Sequence, residues 1–65
     1  MIIPNKHKIY LSLLFNNNKY YITSNPNDRS IYHIYKHISD KDYELLGTSN
    51  SPIILEQKIY KGVLK

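Results

Sequence analysis

The sequence contains no cysteine, no tryptophan and no alanine, and only two glycines in 65 residues. Without cysteine there is no disulfide framework, no CxxC redox pair and no thiolate zinc site. Gly47 and Gly62 are too few and too far apart to build a phosphate-cradling glycine loop. Acidic side chains are scarce, five against nine Lys and Arg, which leaves a formal net charge of +4. No apolar run approaches the ~18 residues of a membrane span, and Met1-Ile2-Ile3-Pro4 lacks the charged-then-apolar layout of a secretory signal. Asn50-Ser51-Pro52 is no glycosylation acceptor. These absences point to a cytoplasmic protein with no membrane partner.

Ile, Lys, Asn and Tyr supply 32 of the 65 residues, a bias expected of an AT-rich genome. Hydrophobic residues reach 42% and include seven tyrosines, too apolar for a disordered tail. The length allows a single small domain over 1–65. A chain of this size buries only about 60% of the surface its unfolded form exposes, so a second subunit is expected to help. The charge is uneven: residues 1–38 carry +4, residues 39–46 carry −2 and residues 47–65 carry +2. An acidic island therefore sits in a basic chain.

From Lys8 to Phe15, Ile9, Leu11, Leu13 and Phe15 alternate with Lys8, Tyr10 and Ser12, the period of a half-buried strand. Asn16-Asn17-Asn18 supplies a turn, because asparagine tolerates the left-handed conformation. A second strand follows from Lys19 to Ser24. A four-residue loop over Asn16 to Lys19 is expected, setting Phe15 opposite Tyr20 and Leu13 opposite Ile22. Residues 25–29 read as an open loop. Ser30 to Ile38 is a third strand with apolar residues on both sides, which places it centrally or at an interface.

Two segments compete for a helix. Ser39 suits the N-cap, Asp40, Asp42 and Glu44 load the first turns with negative charge, and Gly47 suits the C-terminal cap. Residues 52–61 offer Ser51-Pro52 at the start, Lys58 and Lys61 near the end, and Gly62 beyond. There, however, Ile53, Ile54, Leu55, Ile59 and Tyr60 scatter around a helix, and three β-branched residues favour a strand. The expected fold is α+β: a three- or four-stranded antiparallel sheet with one short helix before the last strand. The alternative is a β-meander with a C-terminal helix at 52–61.

Catalytic patterns are absent, and an enzyme is not expected. His33 and His37 would stand roughly 13 Å apart on one side of a strand, too far to share a metal ion. The acids at 40, 42 and 44 lack the glycine and terminal glutamate spacing of a calcium loop. No metal or cofactor is implied. Two binding surfaces remain. Asp40, Asp42, Tyr43, Glu44, Leu45 and Leu46 would form an acidic, apolar helix that grips a protein target. Lys19, Tyr32, Tyr35 and Lys36 would form a basic aromatic sheet, with Tyr faces for bases and Lys for phosphates.

Several stretches resemble the small uracil-DNA glycosylase inhibitors of certain Bacillus phages. They are Leu13-Leu14 before the polar turn at Asn16–Asn18, Lys19-Tyr20-Tyr21, the run from Lys36 to Leu46, Ile53-Ile54, and the tail Val63-Leu64. The resemblance implies a three-stranded antiparallel sheet with one helix, paired as a homodimer, with an apolar pocket for the glycosylase leucine and acids in place of phosphates. Tyr43 then matches the helix aromatic at that pocket, and Glu44 the acid beside it. The expected function is a non-enzymatic inhibitor, encoded by a phage or mobile element, that blocks a DNA-processing or defence enzyme. The alternative is a basic module for single-stranded nucleic acid.

Overall fold

In the computed structural model, which describes residues 1–63, three tight turns fold the chain into a meander that ends in a helix. The strands are β1 (Lys8–Phe15), β2 (Asn18–Asn25), β3 (Asp28–Ser39) and β4 (Asp42–Ser49), and the helix is α1 (Pro52–Tyr60). All neighbours in the sheet are antiparallel, in the order β1-β2-β3-β4. The α+β class and the antiparallel sheet with one short helix agree with the sequence reading. The helix, however, follows the last strand, as in the alternative arrangement.

The first turn is tighter than expected. Asn16 and Asn17 both adopt positive φ, 51° and 65°, so two residues close the hairpin and Phe15 pairs with Asn18. Asparagine bears this conformation better than other L-residues, which is the chemistry of a two-residue primed turn. The register differs by two residues from the expected one: Leu13 faces Tyr20 and Leu11 faces Ile22. An even shift keeps every side chain on its face, so the apolar set survives the correction. The supposed open loop at 25–29 is also a tight turn. Asn25 pairs with Asp28, and the Asn27 N–H donates to Asn25 Oδ1 at 2.9 Å.

The helix expected after Ser39 does not form; residues 42–49 are β4 instead. Asp40 takes φ 41° in the turn, Ser39 pairs with Asp42, and His37 pairs with Tyr43. Caps and first-turn acids are worth about 0.5–2 kcal/mol, and seven residues cannot propagate a helix unaided. Pairing along the 12-residue β3 outweighs them.

Residues 52–60, read as a strand, are α1. Pro52 occupies the first turn, and Leu55 and Ile59, four apart, bury on one side while Ile53 and Ile54 stay exposed. Two anchors suffice, at about 1.5–3 kcal/mol each, so a full apolar stripe is not required. Gly62 at φ 73° ends the helix, with Gly62 N–H donating to the Ile59 carbonyl and Val63 N–H to the Lys58 carbonyl. That pair of bonds is a Schellman cap.

Under α1 lie Tyr20, Ile22 and Ile34, rimmed by Leu11, Leu13, Phe15, Tyr32 and Leu46. Leu46 is the extra residue of a bulge between the Ile34–Gly47 and Tyr35–Leu45 pairs, which turns it towards this face. The other face carries Tyr21, Tyr35, Tyr43, His33 and His37, and residues 1–7 lie against it. There the His7 ring stacks on His33, and Tyr43 N–H donates to the Met1 carbonyl. Because β3 is covered on both sides, its two apolar edges are explained.

Candidate functional site

Alternation places Lys8, Ser24 and Tyr32 side by side across β1, β2 and β3 on the face that carries α1. The helix covers the neighbouring Ile22 and Ile34 but not this row. A bulge in β1 between Ile9 and Leu11 frees Tyr10, whose ring meets Tyr32 edge-to-face at 5.4 Å. The tight Asn25–Asp28 turn brings Arg29 to the same corner, and the N-terminal arm brings Lys6. The result is a cleft of about 390 Å³ lined by Lys6, Lys8 and Arg29, by Tyr10 and Tyr32, and by Ser24, Asn25 and Pro26.

The cleft is strongly one-sided in charge. Its lining has three cations and no carboxylate or imidazole. Among the described residues no Lys or Arg lies within 4.0 Å of a carboxylate; the ion pair present joins the Met1 amino group to Asp42. Asp28, at the mouth of the turn, is occupied: Ser30 donates to its Oδ1 from the hydroxyl at 2.6 Å and from the backbone N–H at 3.0 Å. Those bonds, the hydroxyl's first, hold its carboxyl below the ordinary value. Chemically the corner offers two point charges, one planar guanidinium fork suited to phosphate, and two aromatic faces.

Of the four residues read as a basic aromatic sheet, only Tyr32 reaches this cleft. Lys19 lies on the opposite face, its ammonium 5.6 Å from the Tyr21 ring centroid. Tyr35, only 2% exposed, is buried on that same face, and burial raises its hydroxyl pKa. Lys36 is on the α1 face opposite Glu44, beside a shallower hollow near Phe15 and Ile59. Sequence reasoning missed Lys6, Lys8, Tyr10 and Arg29. The signal was present in the alternation, which put Lys8 on the polar side, but the bulge at Tyr10 and the short turn before Arg29 carry no local mark.

The acidic segment is not one surface. Asp40 is in the turn, where its carbonyl lies 2.9 Å from His37 Nε2. Asp42 is held by the Met1 amino group, whose hydrogen bond and then whose charge lower its pKa. Glu44 pairs across to Lys36 on one face, Tyr43 and Leu45 pair with His37 and Tyr35 on the other, and Leu46 packs at the core. A strand sends alternate side chains in opposite directions, so these six residues do not make a single grip. Leu64 of the resembling tail lies outside the described residues. Among those residues no group of three metal-ligating side chains exists, and no helix is long and apolar enough to cross a membrane. Comparison with protein-family models, curated proteins and solved structures finds no match to this chain.

Proposed function

We propose that this chain is a small binding module for single-stranded nucleic acid. Lys6, Lys8 and Arg29 meet successive phosphates, and Tyr10 and Tyr32 stack bases. The observation that carries the reading is the conjunction in one cleft of three cations without carboxylate partners and a tyrosine pair. Phosphate neutralisation releases counterions and supplies sequence-independent affinity, while a π-face accepts any base. The cleft volume falls within the range of about 300–1,000 Å³ typical of ligand sites. The other reading, an inhibitor gripping a DNA-processing enzyme, requires Asp40, Asp42 and Glu44 on one helix. With Asp40 in a turn, Asp42 taken by the Met1 amino group and Glu44 paired across to Lys36, nothing in the geometry favours it.

Fluorescence anisotropy with a labelled ten-nucleotide strand across salt concentrations tests the proposal. Three phosphate contacts give a slope of log affinity against log salt near −2, at about −0.7 per contact for single strands. Charge removal at Lys6, Lys8 and Arg29 together should flatten that slope. Tyr10→Ala should cost about 1–3 kcal/mol of binding with the slope unchanged. Binding that ignores salt, or that survives the triple substitution intact, would overturn the proposal.

A further inference from the structure

On the face opposite α1, residues 1–7 are held partly by a pair of imidazoles. The His7 and His33 rings stack with centroids 5.1 Å apart and planes 19° from parallel. Behind His7, Thr23 Oγ1 lies 3.5 Å from its Nδ1. His33 is tied on both sides, with Nδ1 3.0 Å from Thr48 Oγ1 and Nε2 3.3 Å from Asn25 Nδ2. The Asn25 amide has a fixed orientation, because its Oδ1 already accepts the Asn27 N–H at 2.9 Å. Its NH₂ therefore faces His33, so Nε2 accepts, and the ring's one proton sits on Nδ1 towards Thr48. A proton added at Nε2 sets donor against donor. Turning the Asn25 amide relieves that clash only by giving up the bond that closes the β2–β3 turn.

We propose that the His7–His33 stack is a proton-operated latch. With both rings neutral it holds residues 1–7 on the sheet; protonation of His33 releases that arm and loosens the Asn25–Asp28 turn. Among the described residues, no carboxylate lies within 4.0 Å of the His33 ring nitrogens. Tyr35 stands with its ring centroid 6.4 Å from that of His33, and His7 shares a hollow with Lys41 and Tyr43, whose lining contains no carboxylate. His37 is turned to Tyr43 and the Asp40 carbonyl, Asp42 is taken by the Met1 amino group, and α1 lies on the far side of the sheet. Burial first, and the charge of His7 second, already lower the His33 pKa below the ordinary 6.5.

Release dismantles the hollow of about 310 Å³, most of whose lining belongs to the arm, and uncovers Ile9 and Tyr43. It also withdraws Lys6, one residue from His7, from the cationic cleft; that consequence alone rests on the binding function proposed above.

The latch is tested without any ligand, by following backbone amide and imidazole NMR signals of the whole chain from pH 8 to pH 5. The amides of residues 2–7 should move to random-coil positions with the same midpoint as the His33 ring, while the β1–β2 hairpin stays in place. His33→Phe keeps an aromatic platform that cannot titrate, and its arm should remain docked at pH 5. Asn25→Asp keeps the acceptor for Asn27 and offers a carboxylate oxygen to His33. It should raise the His33 midpoint by about one pH unit or more and leave the Asn27 amide unmoved through the titration. An arm that stays docked while His33 takes up its proton, or that leaves at the same pH in His33→Phe, overturns the latch. Oligonucleotide binding at pH 8, where the arm is docked, reports separately on the cleft.

Discussion

The two faces of this sheet are held by different physics. Between α1 and the sheet, Ile22, Ile34, Leu55 and Ile59 are all at most 1% exposed and cluster with Tyr20, an ordinary water-excluding core. On the other face the covering is an arm of seven residues, fixed by an imidazole stack, the Met1–Asp42 ion pair and a few hydrogen bonds. Apolar burial is non-directional and insensitive to pH, whereas the second set depends on protonation states and on geometry. One face therefore supplies stability and the other supplies response. The cleft lies at the corner where they meet, with Lys8, Tyr10, Arg29 and Tyr32 on the stable sheet and Lys6 on the arm.

Truncation separates the faces most sharply. Leu55→Ala or Ile59→Ala should cost about 2–5 kcal/mol in urea unfolding, enough to unfold a domain of this size. Leu45→Ala, on the arm's face and 44% exposed, should cost less than about 1 kcal/mol. Equal costs would mean that the helix is not the principal cover.

The helix terminus gives the next effect. Gly62 sits at φ 73° with open space where a Cβ would stand, so Gly62→Ala is penalised by backbone conformation alone. The expected loss is about 1 kcal/mol, or roughly 4–8 °C in thermal midpoint for a domain of this length.

Smaller again, because the ring is partly exposed and screened, is the acid response of the arm's face. The folded His33 pKa lies below its unfolded value of 6.5, so the native state binds fewer protons in that interval. Stability should be complete above about pH 6.5 and decline as pH falls towards the lowered pKa. His33→Phe should remove that decline between pH 7.5 and pH 5.5, as read by thermal unfolding. Asp28 and Asp42, whose pKa values fall below 3.8, add a separate loss only as pH drops below about 4. The smallest change is at the first turn: Asn17→Gly, at φ 65°, should stabilise by a few tenths of a kcal/mol, since glycine meets positive φ without a side-chain penalty.

What the sequence revealed depended on whether the signal was periodic or local. Alternation from Lys8 to Phe15 and the two-sided apolar pattern of 30–38 located β1 and the central β3, because burial acts on every second residue of a strand. The caps around Ser39 and Gly47 misled, since each is a local preference that cross-strand pairing overrode. Residues 52–60 misled in the opposite sense. Their isoleucines resemble a strand, yet Leu55 and Ile59 are the buried anchors of α1, and Ser51-Pro52 with Gly62 marked both its ends. The cleft was the least legible feature. It depends on a bulge at Tyr10, a two-residue turn before Arg29 and an arm that folds back, and only the cross-strand register brings these together. The His7–His33 stack was hidden for the same reason, being 26 residues apart in the chain.

The most direct test is an amide chemical-shift map of the chain titrated with a short single strand at pH 7.5 and low salt. Signals of Lys6, Lys8, Tyr10, Arg29 and Tyr32 should shift together in proportion to bound strand, with Tyr43 to Leu46 and the outer face of α1 unmoved. Perturbations centred on Asp40 to Leu46, or none at saturating strand, would contradict the account.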